Sequence, residues 1–251
     1  MSYLNINDIS MNYHSKNEIT EALKNINFVV NEGEFLSILG PSGCGKSTLL
    51  NIIAGLITPS SGNIFFNNLK IENSEDIFGY MFQKDHLFPW LTVYENIVLG
   101  LKIKKTLNNE AKDRVLSLIN LYGLYDFKDY FPKQLSGGMK QRVALIRTLA
   151  LEPKILLLDE PFSALDYQTR LKVCDEIFYI IKREKKTAIM VTHDISEAIS
   201  TSSRVLMLSK RPATIKTSIN INFGNSDLSP LQRRDSTEFK DYFNLLWREI
   251  D

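Results

Sequence analysis

FLSILGPSGCGKST, residues Phe35 to Thr48, sets a short apolar run directly before a glycine-rich turn. The run Phe35–Leu39 does not alternate, as in a strand buried on both faces of a parallel sheet. The turn itself, from Gly40, Pro41, Ser42, Gly43 and Cys44 to Gly45, Lys46 and Ser47, matches G-x-x-x-x-G-K-[ST]. An apolar helical pattern, Thr48 to Leu56, comes next. Strand, loop, helix is the context this pattern requires. Glycines let successive backbone N–H groups turn inward on phosphate oxygens, and the helix N-terminus adds partial positive charge. Lys46 reaches the outer phosphates and Ser47 is placed to hold Mg²⁺. Cys44 is a small loop filler here, not a nucleophile.

Two further apolar runs, Ile155–Leu158 and Thr187–Thr192, also read as buried strands, which predicts an α/β fold with a mostly parallel sheet. Each ends in polar chemistry: Asp159-Glu160-Pro161 after one, His193-Asp194 after the other. In an open parallel sheet the carboxyl ends share one edge, where ligands bind. Asp159 can hold Mg²⁺ directly or through water. Glu160 beside a metal-bound phosphate can orient and activate water as a general base. Asp-Glu-Pro alone is more often a plain turn; beside a phosphate loop it becomes a hydrolase signal. His193 alone is more often a satisfied strand-end histidine, and the shared edge makes it a candidate phosphate contact.

Leu135-Ser136-Gly137-Gly138-Met139-Lys140-Gln141-Arg142 opens a helical pattern with Met139, Val143, Ile146 and Ala150 on one face. Ser136 and two glycines at a helix start read either as a simple N-cap or as a second anion cradle, which one nucleotide does not need. The composition narrows the field. Thirty Lys+Arg against 29 Asp+Glu gives a formal charge of +1, without the concentrated basic stripe expected of a nucleic-acid binder. The N-terminus MSYLNINDIS lacks a basic start and an apolar core, and no apolar run is long enough to span a bilayer. Cys44 and Cys174 lie far apart and form neither a framework nor a metal site. A cytosolic chain is expected.

Taken together, the phosphate loop, LSGGMKQR, ILLLDEP, SALD (Ser163–Asp166) and VTHD resemble the ATP-binding cassette (ABC) ATPases, over about Tyr3 to Ile215. The resemblance implies a P-loop NTPase of ABC-type architecture, with a RecA-like core sheet, an antiparallel β flank and a helical subdomain. It implies Mg-dependent ATP hydrolysis by a head-to-tail homodimer that sandwiches two ATP, which accounts for the surplus cradle. Carried over by motif, Ser136, Gly137, Gly138 and Gln141 contact ATP across the dimer and Asp166 lies on the loop coupling the two sites. Gln83 senses Mg²⁺ and the attacking water, His193 and Lys46 contact the outer phosphates, and Tyr13 stacks on adenine. An ordinary strand aromatic is the other reading of Tyr13.

Residues 1 to about 37 and 62 to 72 alternate apolar and polar, as antiparallel strands do, whereas about 84–150 is rich in helical pattern. An ABC ATPase domain is expected over 1–215. Residues 216–251 would form a C-terminal extension, with Phe239, Tyr242, Phe243, Leu246, Trp247 and Ile250 at helical spacing. Packing on its own core and a dimer or regulatory contact are both open to that helix. After Gln83 comes an apolar knot, Leu87-Phe88-Pro89-Trp90-Leu91. In the family this region receives a helix of the membrane permease, so Leu87, Phe88 and Trp90 are expected at that contact; burial within the helical subdomain is the competing reading for each. LFPWLTVYEN and LSKRPATI resemble the importer branch serving nitrate, taurine and aliphatic sulfonates. That branch implies an energy-coupling subunit on the cytoplasmic face of the membrane, linked through its permease to an extracellular solute-binding protein. The alternatives are an exporter or lipoprotein-release ATPase, a soluble ABC ATPase acting in DNA repair or on ribosomes, and a small-molecule kinase. A kinase would leave LSGGM and SALD unexplained.

Overall fold

A computed structural model describes residues 3–15, 18–71, 76–225 and 227–249. The chain divides into two compact units, residues 1–75 with 178–251, and residues 76–177.

The first unit opens with an antiparallel pair, β1 (Leu4–His14) and β2 (Ile19–Val30). Alternation in LNINDI puts Leu4 and Ile6 inside; the register then shifts, with Asp8 at φ 51°, so that Ile9 is also buried. Next come β3 (Phe35–Leu39) and α1 (Lys46–Ile53). Then β4 (Ser61–Phe66) and β5 (Leu69–Lys70) complete a four-stranded antiparallel sheet, ordered β2-β1-β4-β5. Helix α1 is shorter than the Thr48–Leu56 pattern suggests. Gly55, at φ 74°, takes the left-handed conformation that ends a helix, the Leu56 N–H turns back to the Asn51 carbonyl at 2.9 Å, and the Leu56 side chain is left exposed.

In the second unit, β6 (Phe78–Met81) is followed by α2 (Val93–Ile103), α3 (Asn109–Leu121) and α4 (Gly137–Leu149). Strand β7 (Ile155–Asp159) pairs in parallel with β6, and α5 (Tyr167–Arg183) is divided between the two units. The helices have side-chain starts: Thr92 and Glu95 form a reciprocal capping box on α2, Asn108 caps α3 and Ser136 caps α4. Val143, Ile146 and Ala150 on the apolar side of α4 join Val93 and Ile97 of α2 and Val115 and Ile119 of α3 in one core, with Met139 packed against it.

The chain returns to the first unit with β8 (Thr187–Thr192), α6 (Ile195–Thr201), β9 (Arg204–Leu208) and β10 (Ile215–Asn220). Helices α7 (Pro230–Arg234) and α8 (Thr237–Glu249) end the described chain. The strands of this unit run β10-β9-β3-β8, with β3 parallel to both neighbours. All five residues of β3 and all six of β8 are buried, as strands without alternation require. Helix α8 buries Leu246 and packs Phe239, Tyr242 and Phe243 against Ile195, Ala198 and Ile199 of α6. Trp247 stacks on Phe243 and stays exposed, and Ile250 lies outside the described residues. No helix of the described residues is long and apolar enough to cross a membrane.

Candidate functional site

In the first unit the register pairs Leu39 of β3 with Thr192 of β8, so the loops beginning at Gly40 and His193 leave the sheet at the same edge. Lys46, the first residue of α1, is 5% exposed; its Nζ donates to the Gly40 carbonyl at 2.8 Å and the Pro41 carbonyl at 2.9 Å. An ammonium with three donors thus spends two on its own loop and keeps the head at the loop's centre. Gly43 and Gly45 adopt φ 73° and 122°, conformations that cost other residues strain. Gly45 stands at the N-cap of α1 without a side-chain cap, so no N-cap side chain competes with an external anion for the helix start. Ser42 and Ser47 are exposed at the loop and Cys44 is buried beneath it. Burial pushes the Cys44 thiol up, against the opposing charges of Lys46 and Arg211. The Tyr13 hydroxyl lies 3.3 Å from Thr48 Oγ1, which brings an exposed ring of β1 to the start of α1. His193 is exposed where β8 ends. These residues fit a polyphosphate tail with a flat base beside it.

In the second unit Met81 of β6 pairs with Leu158 of β7, so Gln83 and Asp159-Glu160 likewise emerge at one edge. Gln83 Nε2 donates to Glu160 Oε2 at 3.3 Å. Asp159 accepts from the Tyr80 hydroxyl at 3.1 Å. Desolvation, followed by the Asp159 charge, raises the Tyr80 phenol far above its usual range, so it remains a donor to the carboxylate. Glu160 sits at φ 43°, and its carbonyl accepts from the Ser163 hydroxyl at 2.9 Å. The donor set around Asp159 and Gln83, all oxygen on the acceptor side, suits a hard divalent cation such as Mg²⁺.

The LSGGM segment starts α4, with Ser136 Oγ accepting the Met139 N–H at 3.3 Å. Ser136 and Gly137 are exposed, whereas a Cβ at Gly138 would come within 2.8 Å of Val173 Cγ2. Asp166 is exposed and accepts the Thr169 N–H at 3.1 Å; hydrogen bonding from Thr169 holds its carboxyl below the usual range. Two of the expected contact residues are buried. Gln141, expected to reach a nucleotide across a dimer, is 2% exposed. Leu87 takes the competing reading given for the knot and belongs to the core with Val93 and Ile97; Phe88, Pro89 and Trp90 are exposed, with the Phe88 and Trp90 rings 5.3 Å apart.

Residues outside the motifs also contribute. Arg147 of α4, mostly buried, donates to the Asp85 carbonyl at 2.7 Å and the His86 carbonyl at 2.9 Å, tying the segment after Gln83 to the LSGGM helix. Burial lowers its affinity for the proton, opposed by the Asp85 charge. Tyr80 was legible only from pairing: in parallel register it stands beside Leu157, two residues before Asp159.

A profile of the ABC transporter family matches residues 23–163. The chain belongs to the ABC transporter family. This ABC ATPase is 45% identical over 251 residues to an uncharacterized ABC transporter ATP-binding protein of Bacillus subtilis, covering 100% of this chain and 96% of that one. It is 42% identical over 231 residues to a nitrate import ATP-binding protein of Synechocystis, covering 92% and 87%. With an aliphatic sulfonates import ATP-binding protein of Bacillus cereus it shares 43% identity over 212 residues, covering 84% and 83%. A solved dimeric ATP-binding cassette in a post-hydrolysis state, bound to ADP and Pi, superposes with a TM-score of 0.75 at 35% identity, covering 87% of this chain and 99% of that one. The fold is that of an ABC ATPase, and the activity is ATP hydrolysis.

Proposed function

We propose that this ATPase is the energy-coupling subunit of an importer for a small oxyanion-bearing solute such as nitrate, taurine or an aliphatic sulfonate. The observation that carries the reading is the similarity, above 40% identity across most of the chain, to ATPases named for nitrate and sulfonate import. Two copies would face each other so that the phosphate loop of one meets Ser136 and Gly137 of the other, as the dimeric relative suggests. The subunit would sit on the cytoplasmic face of the membrane, with the exposed Phe88 and Trp90 against the permease and the solute-binding protein reached only through it.

The proposed roles follow from side-chain chemistry. The phosphate loop and Lys46 bind and orient the triphosphate, and the LSGGM helix start of the second copy adds N–H donors where charge develops. Tyr13 supplies a π face for the base. Asp159, Ser47 and Gln83 would hold Mg²⁺, which when bound neutralises phosphate charge. Glu160 orients and deprotonates water, held in place by Gln83, while His193 donates to the outer phosphate. Asp166 would link the two sites of the dimer.

Replacing Glu160 by Gln is expected to lower ATP turnover by roughly 10²-fold or more while ATP binding persists. The same variant tests the transport reading in cells given labelled nitrate, taurine and alkanesulfonates. Selective loss of one solute would establish the importer and name its cargo; equal uptake of every solute by both strains would remove the proposed substrate class.

A further inference from the structure

The segment after β9, Ser209-Lys210-Arg211-Pro212-Ala213-Thr214, lies beyond the residues matched by the family profile, yet Arg211 from it holds the phosphate loop at Gly43, while β9 and β2 on either side of it pack against the loop's other two glycines. At Gly40 a Cβ would lie 3.2 Å from both Cβ and the carbonyl oxygen of Leu208, the last residue of β9. At Gly43 the carbonyl accepts a hydrogen bond of 2.8 Å from Arg211 Nη2. At Gly45 a Cβ would lie 2.9 Å from Leu23 Cδ2 and 3.2 Å from the Ala22 carbonyl. Those β2 residues are themselves strapped to the segment: the Ala213 N–H donates to Ala22 at 3.0 Å and the Lys24 N–H to Ala213 at 2.9 Å. The segment is a closed turn, pinned by Ser209, whose N–H reaches the Thr214 carbonyl at 3.0 Å and whose hydroxyl accepts the Thr214 N–H at 2.9 Å. Arg211 is therefore presented from a fixed backbone although its side chain is exposed.

We infer that Arg211 is a positioning residue of the phosphate loop, which fixes the Gly43–Cys44 peptide plane so that the Cys44 N–H faces the bound triphosphate. In a trans peptide the carbonyl and the N–H point in opposite directions. Holding the Gly43 carbonyl outward turns the Cys44 N–H inward, where it meets the Pro41 carbonyl at a long 3.3 Å. An anion in the loop would replace that weak contact by a charge-assisted one. Without the guanidinium, Gly43 at φ 73° has no side chain to prevent the plane from turning, and a turned plane would aim a carbonyl oxygen at the phosphates. The inference rests on ATP being the ligand of this loop and does not depend on which solute is transported.

The test compares Arg211→Ala, Arg211→Gln and Arg211→Lys with the wild type by calorimetric titration with MgATP and by steady-state ATP hydrolysis. Arg211→Ala and Arg211→Gln should raise Kd and KM for ATP together by roughly three- to tenfold, the low end for a charged donor because the site is solvated. Their kcat should stay within about twofold of wild type, since Glu160 and its partners are untouched. Arg211→Lys, which keeps a charged donor, should recover more of the affinity than Arg211→Gln. Unchanged Kd and KM in Arg211→Ala would overturn the inference. A fall in kcat and thermal stability with KM unaltered would equally overturn it, by showing a merely structural role. Wild type that binds no MgATP would instead refute the nucleotide reading of the loop itself.

Discussion

Tyr80 and Asp159 show how one neutral hydroxyl can control a carboxylate. The hydroxyl donates to the Asp159 carboxylate, and its ring lies 4.5 Å from that of Phe82, next to Gln83. Tyr80→Phe removes that hydrogen bond while keeping the ring. The Mg²⁺ concentration for half-maximal hydrolysis should rise by roughly tenfold, the usual scale for losing a group that orients a metal ligand. Direct Mg²⁺ titration of the nucleotide complex would check it, and an unchanged midpoint would remove Tyr80 from the site. Cys44 offers a pH test. Burial raises its thiol, so the thiolate is scarce below the ordinary thiol range of about 9. Alkylation by iodoacetamide should be much slower than for an unfolded control at pH 8 and should accelerate as pH rises past 9. The motif positions were legible because phosphate chemistry demands particular residue types at fixed spacing. Tyr80 was not, since its role depends on a neighbouring strand 79 residues away in sequence.

Among the elements, the turn from Phe88 to Leu91 depends on one side chain of α2. Asn96 is fully buried; its Nδ2 donates to the carbonyls of Phe88, Leu91 and Thr92 at 3.2, 3.0 and 2.9 Å, and its Oδ1 accepts the Phe88 N–H at 2.8 Å. Asn96→Ala leaves the Phe88 N–H and the Leu91 carbonyl without that partner, while the Phe88 and Thr92 carbonyls keep backbone donors, and should destabilise the protein by about 2–4 kcal/mol, measured by urea unfolding. Cleavage near Trp90 in limited proteolysis should appear before global unfolding. Strands β3, β7 and β8 were legible in the sequence because a strand buried on both faces reads as a mostly apolar run without alternation. The burial of Gln141 was not, because helical spacing gives a face but does not say how wide the neighbouring core will be; for Leu87 burial was one of two open readings. Leu87 precedes α2 and is carried inward by the turn that Asn96 closes, a contact no periodicity contains.

For the whole molecule, coupling to a membrane partner should be separable from hydrolysis. Trp90 is 68% exposed and belongs to neither the phosphate loop nor the carboxylate edge. Trp90→Ala is expected to leave the ATPase activity of the isolated protein within about twofold while reducing solute uptake by roughly tenfold or more, as loss of an aromatic anchor does at interfaces. Equal uptake by the variant would place the permease contact elsewhere. The division into units was only partly legible: the helical pattern marks the middle of the chain, but nothing in composition says that residues 178–251 rejoin residues 1–75. That connectivity bears on how the protein is made. Strand β3, which carries the phosphate loop, has β8 and β9 as its two neighbours, and both lie more than 140 residues later in the chain. A nascent chain emerging from the ribosome must therefore carry β3 with both edges open until Thr192 has been synthesised, and with one open until Leu208, while all of residues 76–177 are already free to fold. Transcripts cut short before β8 would yield chains with a bare apolar strand, prone to aggregate, and the phosphate loop has its supporting strands only once β9 has followed.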